Sequence, residues 1–329
     1  MLTLGSLGLP SADKDDTWTP RLQQKVLGVH INTWAVHPVT GVRAIELSMD
    51  KTYRDYLVAQ VKTALSAKAA GDVGWPNLTG CLGWAAMVMT GGTAYLAAAH
   101  EMKATVKKLQ RLAAYSDGAS RHRAATLAER RDGLFGEVCD DLRWWLERLL
   151  DPEWKGSRVV AVGKVVPVLL KSDASGEFGS GYWVLEEGGA SGHWPWSRED
   201  RVLYGDDMVA KELHPVVEAL RAHAKEWTGR LVRAGLDNSG GVFSVNAGRA
   251  KSKAARQLMR DLADVLRRHH IELTAHWVPR ELNAVADLLS RQLPLEEAIR
   301  LAGDVDARLA AGEAYADALE SCCSSVLGQ

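Results

Sequence analysis

The feature that most limits the fold of this chain is the run Val159–Leu170, rich in β-branched and aliphatic residues. Such a run, without polar alternation, fits a strand covered on both faces at the centre of a sheet. Two periodicities then follow each other along the chain. Phe178–Leu185 reads as a second strand among glycines, and His193–Tyr204 holds a third. Met208–Gly229 aligns Val209, Leu213, Val216 and Leu220 on one side of a helix. Leu231–Leu236 is a strand, Lys253–His270 a long helix, Ile271–Val278 a strand and Leu282–Leu293 a final helix. That order of elements predicts a mixed α/β sheet with flanking helices.

The chain before this region has a different texture. Residues 1–20 read as a disordered tail. Lys25–Asn32 and Val42–Leu47 flank a turn at Pro38–Gly41 and predict a hairpin. Tyr53–Ala69 repeats apolar residues at Tyr53, Leu57, Val61 and Leu65, and further helices are expected around Leu82–Met89, Tyr95–Leu112 and Leu134–Leu150. Pro152 and Gly156 mark a boundary. The expected organisation is therefore a tail over 1–20, a mostly helical domain over 21–155, an α/β domain over 156–293 and an Ala/Glu-rich helical tail over 294–329. Val73–Ala99 carries no charge and is long enough to weigh as a membrane span. Pro76, Gly80, Gly83, Gly91 and Gly92 instead break it into short buried helices, so no membrane partner is expected. The four cysteines have no zinc spacing, which suits a reducing intracellular compartment, nuclear or cytoplasmic.

The 329 residues carry a formal net charge of -1, which excludes a simple strongly basic nucleic-acid binder. Local stripes are basic all the same. One runs from Lys103 to Arg131. Another holds Arg249, Lys251, Lys253 and Arg256 and offers contacts to a phosphate backbone, with a solvated helix face as the alternative.

Four acids carry the chemistry. Asp173 sits just past the first strand in Lys171-Ser-Asp-Ala-Ser175. Glu212 lies on the first helix of the α/β region, which Pro215 predicts to begin nearby, since proline suits a first turn. Asp237 ends the fourth strand beside Asn238, and Asp287 falls in the opening turn of the last helix, where Asn283 is the expected N-cap. Each alone has a plain explanation: a turn acid for Asp173 and Asp237, a helix-dipole acid for Glu212 and Asp287. Gathered at one rim they would repel each other, and two magnesium ions, or manganese, would relieve that repulsion. Tyr204-Gly-Asp-Asp207 mimics a polymerase metal motif but reads as a loop before a helix.

The segment Lys171–Arg291 resembles the ribonuclease H-like domain of reverse transcriptases, especially those of DIRS-like and related retroelements. The matching pieces are SDASGEFGSGYW (172–183), GHWPWSRED (192–200), KELHPVVEAL (211–220), LDNSGGVFSVNAGRAKS (236–252) and HWVPRELNAVADLLSR (276–291). The resemblance implies a ribonuclease H-like mixed five-stranded sheet, with Asp173, Glu212, Asp237 and Asp287 as catalytic metal ligands. The implied activity is magnesium-dependent hydrolysis of the RNA strand of RNA–DNA hybrids. Arg249, Lys251, Lys253 and Arg256 of the basic stripe, together with Asn238, are the expected nucleic-acid contacts. Residues 27–57, 78–100 and 140–149 resemble the thumb and connection region upstream of such domains. No room is left before residue 25 for a polymerase palm, so the expectation is a truncated reverse transcriptase, with a non-catalytic binding remnant or a subunit paired with a separate polymerase chain as the alternatives. The loop Pro279–Leu282 lacks the histidine of cellular ribonucleases H, and His276 falls within the preceding strand.

Overall fold

The computed structural model describes residues 23–26, 29–37, 39–115, 117–152, 154, 157–161, 166–185, 189–310, 315 and 318. The expected disordered tail over 1–20 lies outside them, as do Pro38 of the predicted turn and most of the C-terminal tail beyond residue 310. The described residues cluster into two compact units. One takes those of Met1–Met89 and Ala98–Lys164, the other those of Thr90–Ala97 and Val165–Gln329.

The first unit contains a four-stranded antiparallel sheet in the order β1-β2-β3-β4, from Gln23–Val26, Val29–Val36, Arg43–Met49 and Ser157–Ala161. The hairpin expected around Pro38–Gly41 is β2–β3. Its turn is closed by the His37 N–H on the Val42 carbonyl, with Gly41 at φ 68°. Helix α1 (Lys51–Ser66) begins at Asp50, whose carboxylate accepts the Thr52 N–H, and buries Leu57, Val61 and Ala64 at helical spacing. Helices α2 (Trp75–Ala85) and α3 (Ala97–Leu112) come from the uncharged stretch and its basic continuation. No described helix is long and apolar enough to cross a membrane. Helix α4 spans Gly118–Leu150, starting well before the expected Leu134 because Asp117 caps it through the Ser120 N–H. Its buried residues Leu134, Val138, Leu142, Trp145 and Leu149 keep one face.

The run Val159–Leu170 is not one strand. Its start belongs to β4, which pairs with β3, and its end belongs to β5 (Val168–Ala174) in the second unit. Pro167 explains the break, because it has no N–H for a central ladder, and β5 begins directly after it.

The second unit contains a mixed five-stranded sheet with flanking helices, the architecture that the sequence resemblance implies. Its order is β7-β6-β5-β8-β9, with β6 at Gly179–Val184, β7 at Ser191–Pro195, β8 at Leu231–Leu236 and β9 at Glu272–Trp277. Strands β5, β6 and β7 pair antiparallel, whereas β5–β8 and β8–β9 pair parallel. The second half of the expected third strand is a helix, α5 (Arg198–Tyr204), because Ser197 and Asp200 form a reciprocal capping box. Helix α6 runs Met208–His223 from an Asp207 cap, so the Gly-Asp-Asp of Tyr204–Asp207 is helix punctuation, with Gly205 at φ 49°. Pro215 therefore lies inside α6 and not in its first turn, contrary to expectation. The short helix α7 (Ser239–Ala247) was not foreseen. Helix α8 (Lys253–Arg268) buries Ala255, Leu258, Met259, Leu262 and Ala263 along one stripe. Tyr95 of the Thr90–Ala97 segment donates to Asp264 on α8 at 3.0 Å.

Helix α6 covers one sheet face and helix α9 (Ala284–Ser290) the other. On the α6 side, Ser180 and Tyr182 of β6 contact His214 and His223 at 2.8 Å each. On the α9 side, a Cβ on Gly181 would stand 2.6 Å from Leu289 Cβ, so only glycine lets the helix approach this closely. Helix α10 (Leu295–Ala310) follows and joins Leu288, Leu289, Tyr315 and Ala318 in one apolar cluster.

Candidate metal centre

Asp173 lies one residue from the end of β5 and is paired with Gly181, so it projects to the α9 face of the sheet. Asp237 directly follows β8, the parallel neighbour of β5, and so reaches the same sheet edge. Glu212 comes from α6. The structure brings these three together: one carboxylate oxygen from each lies within 4.8 Å of the other two. Asp173 and Glu212 are buried and Asp237 is half-buried. Glu212 Oε2 is buried with no hydrogen-bond partner among the described residues.

Burying three acids beside each other is costly, and their acidities show it. Burial, then the charges of Asp287 and Asp237, pushes the Asp173 carboxyl up to about 8, against a small opposing pull from the Ser290 hydroxyl and Arg280. Glu212 is raised well above the usual carboxylate range, first by burial and then by Asp173, Asp237 and Asp287. Asp237 is raised by burial, partly offset by Arg280. The donors are hard, anionic oxygens with one orphaned atom among them, a set that fits magnesium or manganese better than a softer ion.

The fourth acid behaves differently. Asp287 is buried on α9 but does not join the group of three. Both of its oxygens are already engaged. Arg291 Nε, one helical turn on, lies 3.0 Å from Oδ1; Arg280 Nε lies 3.3 Å and the Tyr315 hydroxyl 3.1 Å from Oδ2. Asn283 holds the N-cap position of α9, as expected, but its side chain makes no capping hydrogen bond there; its amide donates instead to the Ser172 carbonyl at 3.0 Å, tying the helix start to β5.

Sequence reasoning missed Arg280, Arg291 and Tyr315. Arg291 is spaced i,i+4 from Asp287 and carried a readable signal. Arg280 sits in a 3₁₀ turn (Arg280–Asn283) and Tyr315 lies beyond α10, so neither had a local one.

Of the predicted nucleic-acid contacts, Arg249, Lys251 and Lys253 are exposed around the start of α8. Arg256 is buried, with Nη1 donating to the Lys251 carbonyl at 2.5 Å, so it shapes that loop and does not present its charge to a phosphate. Asn238 caps α7 by accepting the Gly241 N–H at 3.0 Å. Trp277 stands exposed beside Asp237, its indole N–H donating to the Asp237 carbonyl at 2.8 Å, and Phe243 stands exposed on α7.

No family model and no curated protein matches the chain. Several solved structures are similar to it. The N-terminal RNase H domain of a Mycobacterium tuberculosis protein, solved as a maltose-binding-protein fusion, is 20% identical, covering 38% of this chain and 95% of that one, with a TM-score of 0.31. An RNase H1 designated LC11, in complex with RNA/DNA hybrid, is 18% identical over 40% of this chain and 99% of that one, with a TM-score of 0.31. The foamy viral protease-reverse transcriptase, in complex with RNA/DNA hybrid, is 11% identical, covering 78% of this chain but 29% of that one, with a TM-score of 0.24. The strand order β7-β6-β5-β8-β9, with its antiparallel and parallel pairs, is the mixed five-stranded arrangement that the sequence resemblance implies.

Proposed function

We propose that this chain is a metal-dependent ribonuclease H-type endonuclease that cuts the RNA strand of RNA–DNA hybrids. The observation that carries the proposal is the convergence of Asp173, Glu212 and Asp237 from two strand ends and a helix, with an unpartnered Glu212 oxygen. Asp173, Glu212 and Asp237 would hold magnesium or manganese, with Asp287 as the fourth acid beside them. Such an ion, when bound, lowers the pKa of a water and stabilises charge on a phosphodiester. The chain's own residues do the rest. Burial keeps bulk water from Asp173 and Glu212, whose lost hydration favours an incoming cation. The exposed Arg249, Lys251 and Lys253 meet the phosphate backbone, with affinity falling as salt rises. Trp277, beside Asp237, and Phe243 offer flat faces for a sugar or base. The matching pieces over 172–291 favour a retroelement reverse transcriptase as the source, with the preceding unit as a thumb and connection region.

A second reading, binding without cutting, draws on Asp287 being occupied by two guanidinium groups and a phenol. Labelled RNA–DNA hybrid incubated with the protein in magnesium, in EDTA, and with Asp173→Asn or Asp237→Asn separates the two. Loss of cutting in EDTA and in both variants, by about a thousandfold or more, is expected. Cutting that survives Asp173→Asn removes the assignment; tight binding with no cutting by the unaltered protein selects the second reading.

A further inference from the structure

Resting on the metal-dependent reading above, we propose that Arg280 is a resident counter-cation for Asp287, so that the protein alone offers one strong divalent-cation site, at Asp173, Glu212 and Asp237, and a second, at Asp287, that an incoming ion must win from the guanidinium. Three features single out Arg280. Its Nε lies 3.3 Å from Asp287 Oδ2, while its side chain is 53% exposed and that of Asp287 only 2%. Arg291, the other guanidinium on Asp287, is bound on its own helix at i,i+4 and is 24% exposed, so Arg280 is the freer of the two to leave. Arg280 also acts electrostatically on Asp173, Glu212 and Asp237, as a cation placed among the acids would.

Tyr315 holds this arrangement in place. Its hydroxyl donates to the same Oδ2 that Arg280 meets, and the Arg280 guanidinium carbon sits 5.6 Å from its ring centre. A cation over a tyrosine face gains further attraction. Tyr315 is buried in the cluster formed by α9 and α10. It is thus a positioning residue: it fixes Asp287 and its counter-cation without belonging to the group of three acids. An ion at Asp287 must therefore displace a bound guanidinium before it gains a carboxylate, whereas an ion at the three acids feels Arg280 only through space and meets an orphaned oxygen.

Manganese binding to the full chain, counted by electron paramagnetic resonance without nucleic acid, tests this. The unaltered protein should bind one ion tightly and a second more weakly, and Asp287→Asn should remove the second. Arg280→Gln should tighten the second ion by about tenfold or more, the effect one nearby charge has on a carboxylate, while Arg280→Lys, which keeps the charge, stays near the unaltered value. Tyr315→Phe removes one donor from Oδ2 and should shift the second ion in the same direction by less. If Arg280→Gln and Tyr315→Phe leave the second ion unmoved or weaken it, the inference is overturned. If the unaltered protein holds no ion that Asp173→Asn removes, the metal-dependent reading itself fails.

Discussion

The two sheets of this protein carry acids in very different ways. In the first unit every strand pairs antiparallel, so neighbouring strands end at opposite edges, and an acid such as Glu46 sits mid-ladder facing Asn32. In the second unit β5 and β8 run parallel and end at one edge, so Asp173 and Asp237 become neighbours although they are far apart in sequence. Strand direction, more than the number of acids, decides which sheet can gather charge. The price of gathering is a set of buried carboxylates that the first sheet never carries among its described residues.

The sharpest way to break the comparison is through packing. Sheet β5–β9 is pressed against α9 with no space at Gly181, where a Cβ would lie 2.6 Å from Leu289 Cβ and 2.7 Å from its carbonyl carbon. Gly181→Ala is expected to cost about 3 kcal/mol in urea unfolding, because helix backbone and not a flexible side chain must give way. Val36→Ala, on a position of β2 that is 63% exposed, should stay within about 0.5 kcal/mol. Equal losses at the two positions would mean that the sheets do not differ in how tightly they are covered.

A smaller contrast is in pH. Asp173 is lifted from 3.8 to about 8, and Glu212 and Asp237 are lifted with it. The folded protein therefore holds protons that the unfolded chain has released, so stability falls as pH rises across that window. In EDTA the melting temperature of the second unit should drop by roughly 5 °C between about pH 4 and pH 8. Magnesium should flatten that slope by supplying the missing positive charge. In the first unit the Ser120 contact holds Asp117 below its usual range and Arg131 does the same for Asp132, so any slope there runs the other way, with stability lost as pH falls. A rise in stability of the metal-free second unit toward pH 8 would contradict the burial described for the acids.

The same contrast explains what could be read from the sequence. Elements with a strong local period were legible: α1, α6 and α8 by their stripes, β6, β8 and β9 by composition and flanking turns. The acids were legible because three of them mark the end of a strand or the face of a strongly periodic helix. What was hidden depends on contacts across the fold. The run from 159 to 170 reads as one strand until β3 and β8 are known to be separate partners for its two ends. Pro215 inside α6 contradicts a local rule, and the helix survives because Leu213, Val216, Val217 and Leu220 are fully buried around it. Arg280 and Tyr315 meet at Asp287 only after α9 and α10 have folded back.

The smallest effect concerns the helix caps, where the two units should behave alike. Asp50 accepts the Thr52 N–H at the start of α1, and Asn238 accepts the Gly241 N–H at the start of α7. Truncating either to alanine should cost about 1 kcal/mol, the usual value of one satisfied N-terminal donor. Asn238 has the additional interest of following Asp237 directly, where the sequence suggests a nucleic-acid contact. Asn238→Ser keeps a capping oxygen and should recover most of the lost stability, with hybrid affinity within about twofold of the unaltered protein. A tenfold loss of hybrid affinity in a fully stable Asn238→Ser protein would instead assign the amide to the nucleic acid. In that case the equivalence of the two caps would end at stability, since Asp50 substitution would leave affinity untouched.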